Sequence, residues 1–303
     1  RVRRPFAGAS VHYMSLTHGE RLRVVACALT GKLVRLLSLG TGCYFEPGRN
    51  RRACHKLMHF MVERVAAKLM HSLAAAVGNK VGKEAEELCA SGQCAAAAVA
   101  LKLAVDLGHL PSRALKAWML ILGREGVAQD ENAAFGLVEE GARLGCHHCQ
   151  GVMAWCYWGG YGCVRDAARS LELARESSGK GSRYGQHTLG GLHLNGAGGL
   201  AEDHAQALAF YRLAAAQGLD EAQRELGDMY FNGYGVAQDY AEALRLYQLA
   251  AAQGHPWALF NVAVCHKRGR GVRENKAEAI RWYRRAQAAG NPQAADALQR
   301  LRA

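Results

Sequence analysis

The chain has 303 residues, half of them apolar, and a formal net charge of +12 with neutral histidines. No apolar stretch reaches the ~18 residues of a transmembrane helix, and ten cysteines are too few for a disulfide scaffold, so both classes are excluded. Abundant alanine, five prolines and few β-branched runs favour helix over sheet. We therefore expect an all-α protein of an intracellular, reducing compartment, with cytoplasm, mitochondrion and plastid left open.

The first predicted element is a basic helical region over residues 1–83. It holds 15 Lys and Arg against three acidic residues, whereas residues 84–303 hold equal numbers of both. Its Arg-rich start, RVRRPF, is typical of the remnant of an organelle transit peptide, so a processed or incomplete N-terminus is one interpretation. The excess of positive charge suits an acidic partner, and nucleic acid is the alternative ligand of this region.

Residues 51–77 have the spacing of an amphipathic helix with one apolar and one basic face. The apolar face has no repeat of its own to stack on, so we expect it to dock onto another subunit. The motif GNKVGKE at 78–84 lacks the spacing and the Ser or Thr of a phosphate-binding loop, and it predicts a helix break. Residues 84–111 are predicted to form a degenerate half repeat, in which 94–108 are a worn second helix.

A repeat dominates the chain after residue 111. Five similar loops follow one another at intervals of 36 or 37 residues: GVAQD at 126, GCVRD at 162, GLAED at 199, GVAQD at 235 and GVREN at 271. Another glycine follows nineteen residues after each loop glycine. This period is typical of two-helix repeats, which stack because a single unit cannot bury its own apolar face.

Each unit is predicted to hold two antiparallel helices. The second helix should begin at an N-cap whose oxygen accepts from the first turn, and the candidates are Asp130, Asp166, Asp203, Asp239 and Asn275. An apolar stripe runs along this helix, and its tyrosines are predicted to fill the space between neighbouring helices: Tyr211, Tyr247 and Tyr283. The closing glycine supplies a left-handed turn. Residues 292–302 are predicted to be one more first helix that caps the array.

One unit combines these features in the segment AQRELGDMYFNGYGVAQDYAEALRLYQLAAAQG, residues 222–254. It resembles the Sel1-like repeat, a relative of the tetratricopeptide repeat, and the resemblance extends over residues 112–303. It implies a right-handed α-solenoid of about five repeats with a C-terminal capping helix, which works as an adaptor or scaffold in multiprotein assemblies without chemistry of its own. We accordingly expect a protein partner, no catalytic residue and no cofactor.

The run GCHHCQG at 145–151 has a spacing that can hold zinc, with Cys146 and Cys149 on either side of two histidines. The repeat alignment places Cys149 in the small-residue column of the first helix, which favours a packing role. We therefore expect no metal site built on Cys149. Metal binding by Cys146, His147 and His148, in a turn that we expect to be exposed, is left open.

Partner recognition in helical repeats usually falls on variable positions of the inner face and of the loops. We predict that an aromatic pair at the same corner of two units and four basic residues of the fifth unit bind the partner: Trp158, Tyr161, Phe231, Tyr234, Lys267, Arg268, Arg270 and Arg273. Packing beneath the next repeat is the alternative for Trp158 and Phe231. The predicted function is a non-enzymatic scaffold or adaptor within a larger assembly, and the alternative is a nucleic-acid-associated protein that binds through residues 1–83.

Overall fold

The computed structural model describes residues 51–124 and 127–302 of the chain. These residues form helices and turns without a strand, so the predicted all-α fold is confirmed. Their thirteen helices are α1 (Arg51–Ala90), α2 (Cys94–Asp106), α3 (Leu110–Leu122), α4 (Glu131–Arg143), α5 (His147–Gly159), α6 (Ala167–Gly179), α7 (Arg183–Leu194), α8 (His204–Ala216), α9 (Asp220–Asn232), α10 (Tyr240–Ala252), α11 (Pro256–Arg268), α12 (Lys276–Ala288) and α13 (Ala294–Arg302). None of these helices combines the length and the apolarity that a span across a bilayer requires.

Contacts group the described residues into two units, one with 51–78 and 106–108 and the other with 79–105 and 109–302. In the first unit, α1 carries four apolar side chains at intervals of four residues that are between 40% and 61% exposed: Val65, Leu69, Leu73 and Val77. The apolar face predicted for 51–77 is therefore open to solvent at these positions.

The helix break predicted at 78–84 is wrong, because α1 continues without interruption to Ala90. Gly82 has a packing role instead. A Cβ atom at Gly82 would lie 2.3 Å from Nδ1 of His109, so the glycine lets this ring approach the helix. The boundary predicted between residues 83 and 84 thus falls inside a helix whose last turns pack against α2 and α3.

The helices of the second unit follow one another in pairs, and the predicted N-caps of the second helices are confirmed. In α4, α6, α8, α10 and α12 the side-chain oxygen before the helix accepts from a backbone N–H of the first turn at 2.9–3.0 Å. The five residues are Asp130, Asp166, Asp203, Asp239 and Asn275. Because the bond satisfies an N–H that has no partner within the helix, it fixes where each second helix begins.

The tyrosine stripe fills the space between helices, as predicted. Three rings are only 2% exposed: Tyr211, Tyr247 and Tyr283. Tyr247 of α10 packs on Gly227 of α9, where a Cβ atom would lie 2.6 Å from its Cε1 atom. Tyr211 packs in the same way on Gly190 of α7. The ring from the second helix therefore packs on a glycine of the first helix in the third and fourth units, whereas Ala263 stands at the equivalent position of the fifth unit.

The loop glycines allow a close approach between backbones. Gly235 has a φ of +66°, and a Cβ atom there would lie 2.6 Å from the carbonyl oxygen of His204. In the third unit this role belongs to Gly198, where a Cβ atom would lie 2.6 Å from the carbonyl oxygen of Ala167. Gly199, which the sequence alignment selected, has no such neighbour within 4 Å. The extra residue of this loop therefore follows the contact glycine.

The predicted ends of the array are also confirmed. Helix α13 covers the last pair of helices and buries Ala294, Leu298 and Leu301. Helix α2 forms the worn second helix, and Gly108 follows it with a φ of +84°. The solenoid of two-helix repeats near 36 residues in length is thus closed at its C-terminal end by a single helix.

Candidate partner-binding groove

The first helices of the second unit contact one another along one side, which we call the inner side. In its N-terminal half the inner side is filled by aromatic rings. Trp118 of α3 lies 5.6 Å from Trp155 of α5 and 5.2 Å from Tyr184 of α7, measured between ring centroids. His187 of α7 lies 4.8 Å from Trp155. Rings at these distances leave no room for a partner chain between them.

Buried charges link the same helices across several repeats. Arg124, which follows α3, is 8% exposed and pairs with Asp220 and Glu221 at the start of α9. Glu221 also lies 2.9 Å from Nε2 of His255 and 3.4 Å from Nε of Arg224. Burial opposes ionisation of Glu221, but His255, Arg224 and Arg124 together hold its pKa well below the usual range. The network therefore joins the residue after α3 to the starts of α9 and α11.

The end of α1 covers the rest of this half. Arg183 of α7 pairs with Glu86 at 3.3 Å, and a Cβ atom on Gly92 would lie 3.1 Å from the carbonyl oxygen of Ala252. A cavity of about 280 Å³ remains between α1 and the first helices, with Trp118 in its lining. The chain's own helix thus occupies the place that a partner segment would take in this half.

The inner side is open in its C-terminal half. One depression of about 430 Å³ lies over α9 and α11, and a second of about 420 Å³ lies over α11 and α13. Val264 and Arg268 line both depressions, so we treat them as one surface, the C-terminal groove. The lining residues that bear on binding are Asp228, Phe231, Tyr234, Asn261, Lys267, Arg268 and Arg300.

Asp228 holds Asn261 in place within this groove. One carboxylate oxygen of Asp228 accepts from the Tyr247 hydroxyl at 2.6 Å and from Nδ2 of Asn261 at 3.1 Å, and the other accepts from Arg224 at 2.6 Å. Burial raises the pKa of Asp228, while Arg224 and Tyr247 oppose the rise. The Asn261 amide makes no other hydrogen bond within the described ranges, so its oxygen and one N–H remain for a ligand.

The groove also holds positive charge. Lys267 and Arg268 are exposed, and neither forms an ion pair with a residue that the structure describes. Arg300 pairs with Asp296 at 2.7 Å, but these side chains are 74% and 60% exposed. An exposed pair of this kind contributes little, so Arg300 can exchange Asp296 for a carboxylate of a ligand.

Four of the eight residues predicted to bind a partner come together in the C-terminal groove, namely Phe231, Tyr234, Lys267 and Arg268. Tyr234 is 46% exposed, whereas Phe231 is half-buried. Arg270 lies against this cluster, because its guanidinium carbon is 4.9 Å from the centroid of the Phe231 ring.

The other three predicted residues lie elsewhere. Trp158 packs on Gly191 of the next unit, where a Cβ atom would lie 2.7 Å from its Cη2 atom, which agrees with the alternative of packing beneath the next repeat. Tyr161 stacks on Trp155 with ring centroids 6.0 Å apart. Arg273 is exposed, but it does not line the groove.

Asp228, Asn261 and Arg300 were not predicted, because the candidate residues were all chosen at and beside the loops. A signal was available for two of them. Asp228 and Asn261 occupy repeat columns that hold Trp155 and Val152 in α5. This change from apolar to polar side chains marks the point where the filled half of the inner side gives way to the open half.

The segment around Cys146 is not the exposed turn that we expected. Cys146 is the N-cap residue of α5 and is only 6% exposed. Cys149 is fully buried, as predicted, and its Sγ atom occupies the space beside Gly141. The rings of His147 and His148 lie 4.2 Å apart. In the part of the chain that the structure describes, no three His, Cys, Asp or Glu side chains are grouped so as to hold a metal ion.

The fold defines the class of protein, an α-helical repeat solenoid with an open groove along the last of its first helices. The family model of the Sel1 repeat matches residues 117–146, 147–182, 183–219, 220–255 and 258–291, which make up more than half of the chain. The chain therefore belongs to the Sel1 repeat family. Members of this family generally mediate protein–protein interactions and are generally not enzymes.

Solved structures with a similar fold come from several bacteria. A protective antigen of uropathogenic Escherichia coli is 26% identical over 67% of this chain and 43% of its own, with a TM-score of 0.47. A Sel1 repeat protein of Oxalobacter formigenes is 22% identical over 72% of this chain and 86% of its own, with a TM-score of 0.49. An immunity protein of Pseudomonas aeruginosa is 19% identical over 71% and 83%, with a TM-score of 0.46. None of the curated proteins compared with the chain matches it.

Proposed function

We propose that the chain is a non-enzymatic adaptor within a larger assembly, and that its C-terminal groove binds an extended, acidic segment of a partner protein. The observation that carries this proposal is that Lys267 and Arg268, which have no ion-pair partner among the described residues, line the same groove as the fixed amide of Asn261. Carboxylates of the partner neutralise the cations, and the amide pairs with the partner's backbone. Phe231 and Tyr234 supply apolar contact area at the other end of the groove.

Charge outside the groove agrees with an acidic partner. Residues 267–303 carry ten basic and three acidic side chains, so the potential around the groove attracts negative charge before contact is made. Glu225 and Asp228 also line the groove, but both carboxylates contact Arg224. Arg224 therefore offsets part of their negative charge, whereas Lys267 and Arg268 have no ion-pair partner among the described residues.

The proposal can be tested with two labelled peptides, one rich in Asp and Glu and the other with every acid replaced by its amide. The full chain should bind the acidic peptide more tightly in fluorescence anisotropy. The double change Lys267→Glu and Arg268→Glu should weaken that binding at least tenfold, which corresponds to ~1.4 kcal/mol, and leave the amide peptide unaffected. Asn261→Ala should weaken the binding of both peptides by a similar factor, since it removes a contact to the peptide backbone.

Arg281→Glu is the matched control. Arg281 is 75% exposed on α12, outside the groove, and the change reverses the charge at a single site. If this variant and the double variant lose the same affinity per reversed charge, binding of the acidic peptide depends on net charge alone, and the groove is not its binding site. Equal affinity of the unaltered chain for the two peptides would also contradict the proposal.

We also propose that α1 docks onto another subunit through its exposed apolar face. The support is the row of Val65, Leu69, Leu73 and Val77. Leu69→Gln together with Leu73→Gln should abolish co-purification of a stoichiometric subunit from native extract. Val99→Gln is the control, because Val99 of α2 is an apolar side chain that is 73% exposed elsewhere. If the subunit stays bound to the double variant, this face is not the docking site.

Nucleic-acid binding through residues 1–83 is the alternative function. Eight of its fifteen basic residues precede residue 50 and lie outside the described residues. Salt-dependent binding of a nucleic-acid duplex by the full chain, lost when residues 1–50 are removed, would favour this alternative. An intracellular, reducing compartment likewise stays a proposal, supported by the free thiols of Cys146, Cys149, Cys156 and Cys265.

A further inference from the structure

Two cysteines share the first turn of α5. Cys146 is the N-cap residue with extended backbone angles, φ −75° and ψ 108°, and its Sγ atom accepts the backbone N–H of Cys149 at 3.5 Å. Cys149 lies three residues further on, in the helix itself. This arrangement brings two thiols together at the positive end of a helix, where an anionic sulfur is stabilised.

The two thiols differ in acidity. A hydrogen bond from the Cys149 thiol, backbone N–H groups of the first turn and the nearby charge of Arg113 outweigh burial and lower the pKa of Cys146 to about 6. The same hydrogen bond, together with burial, raises the pKa of Cys149. This environment therefore favours the negative charge on Cys146 and the proton on Cys149.

Other buried cysteines lack this environment. Burial raises the pKa of Cys156 to about 12 and that of Cys265 to about 11. Both are fully buried in packing positions of first helices, and neither is a helix cap. A buried cysteine of this kind is inert, and Cys265 serves as an internal reference for the reactivity of Cys146.

We propose that Cys146 and Cys149 form a dithiol that low-molecular-weight disulfides oxidise reversibly to a disulfide within the first turn of α5. Cys146 reacts first: its thiolate attacks one sulfur of the small disulfide, a mixed disulfide forms and one thiolate leaves. Cys149 then attacks the Cys146 sulfur, its proton passes to a leaving thiolate, and the second thiol is released. Two protein sulfurs are oxidised, and one small disulfide is reduced to two thiols.

The burial of the pair restricts the oxidant. Cys146 is 6% exposed and Cys149 is not exposed at all, so only a small reagent that enters when the preceding turn opens can reach them. Leu144 in that turn is 51% exposed, and Gly145 follows it with a φ of +86°. A folded disulfide-bearing protein would be too large to enter.

Oxidation would alter the contacts of α5 with its neighbours. The Sγ atom of Cys149 lies 3.6 Å from the carbonyl oxygen of Leu110, and a Cβ atom on Gly141 would lie 2.3 Å from that sulfur. A disulfide removes the thiol proton and draws the sulfur towards Cys146. The state of this pair is therefore coupled to the packing of α5 on α3 and α4.

The test uses the full chain equilibrated with reduced and oxidised glutathione, quenched with acid and alkylated with iodoacetamide. Chymotrypsin cleavage after Trp155 separates Cys146 and Cys149 from Cys156 in the peptide map. We expect the peptide with Cys146 and Cys149 to lose two hydrogens and to escape alkylation. After treatment with dithiothreitol both cysteines should be alkylated again. Cys265 should be alkylated under all conditions. Alkylation of Cys146 in every glutathione ratio that leaves Cys265 reduced would overturn the proposal.

Two variants separate the steps. Cys149→Ala places in the repeat column the residue that stands at Ala222 and Ala258, so the fold should persist, as circular dichroism can verify. In this variant the oxidation should stop at the mixed disulfide between Cys146 and glutathione. Cys146→Ser keeps a side-chain acceptor at the N-cap and should show no oxidation of Cys149. Oxidation of Cys149 in the Cys146→Ser variant, or no adduct in a folded Cys149→Ala variant, would contradict the proposed order.

Discussion

Replacement of Arg124 by alanine is expected to lower the free energy of unfolding by about 3–5 kcal/mol, because it leaves the Asp220 carboxylate without its buried partner and removes one of the three basic side chains around Glu221. The Arg124 side chain is only 7% exposed, so its ion pair with Asp220 lies largely away from bulk solvent. Urea unfolding followed by circular dichroism would measure the loss.

Arg300→Ala is the control for this prediction. Arg300 and Asp296 form an ion pair at 2.7 Å, but it is mostly exposed, and its removal should cost less than about 1 kcal/mol. If the two variants lose the same stability, the buried network does not hold the first helices together in solution.

Replacement of Tyr247 by alanine is expected to cost about 3–5 kcal/mol, since the ring fills the space over Gly227 and no side chain can move into the void. Tyr247→Phe keeps the ring and loses only the hydrogen bond to Asp228, so it should cost about 1–2 kcal/mol. Urea unfolding of both variants separates ring packing from the hydrogen bond.

The phenylalanine variant has a second use. It removes one of the bonds that fix Asp228, and Asp228 in turn positions Asn261. We therefore expect Tyr247→Phe to weaken peptide binding in the C-terminal groove, although Tyr247 is almost fully buried. Equal losses of stability in the alanine and phenylalanine variants would show that the hydrogen bond, not the ring, dominates.

Much of the fold could be predicted because the interactions that determine it, such as helix caps and ring packing, lie within one repeat. The caps at Asp130 and Asp239 act on N–H groups two or three residues away, and Tyr247 needs a glycine twenty positions earlier. A periodic sequence displays such short-range requirements directly. Gly198 was misassigned because an alignment cannot tell which of two adjacent glycines meets the backbone of the preceding unit.

The groove could be predicted only in part. Four of its residues lie near loops and were predicted because loop positions vary between the repeats: Phe231, Tyr234, Lys267 and Arg268. One half of the inner side is filled and the other half is open. This difference depends on contacts between distant repeats, such as the contact between Trp118 and Tyr184. The predicted break at 78–84 failed for a similar reason, because the neighbour that requires Gly82 is a ring 27 residues away, on His109.

The ion pair between Arg124 and Asp220 joins residues 96 positions apart, in a fold whose repeats otherwise pack mainly on their neighbours. A stack held by neighbour contacts alone can lose its terminal repeats one at a time, because each repeat contributes separately to stability. A bond between the first and fourth units removes that independence. We expect these four units to unfold cooperatively in one transition, and fraying to be confined to the fifth unit and α13.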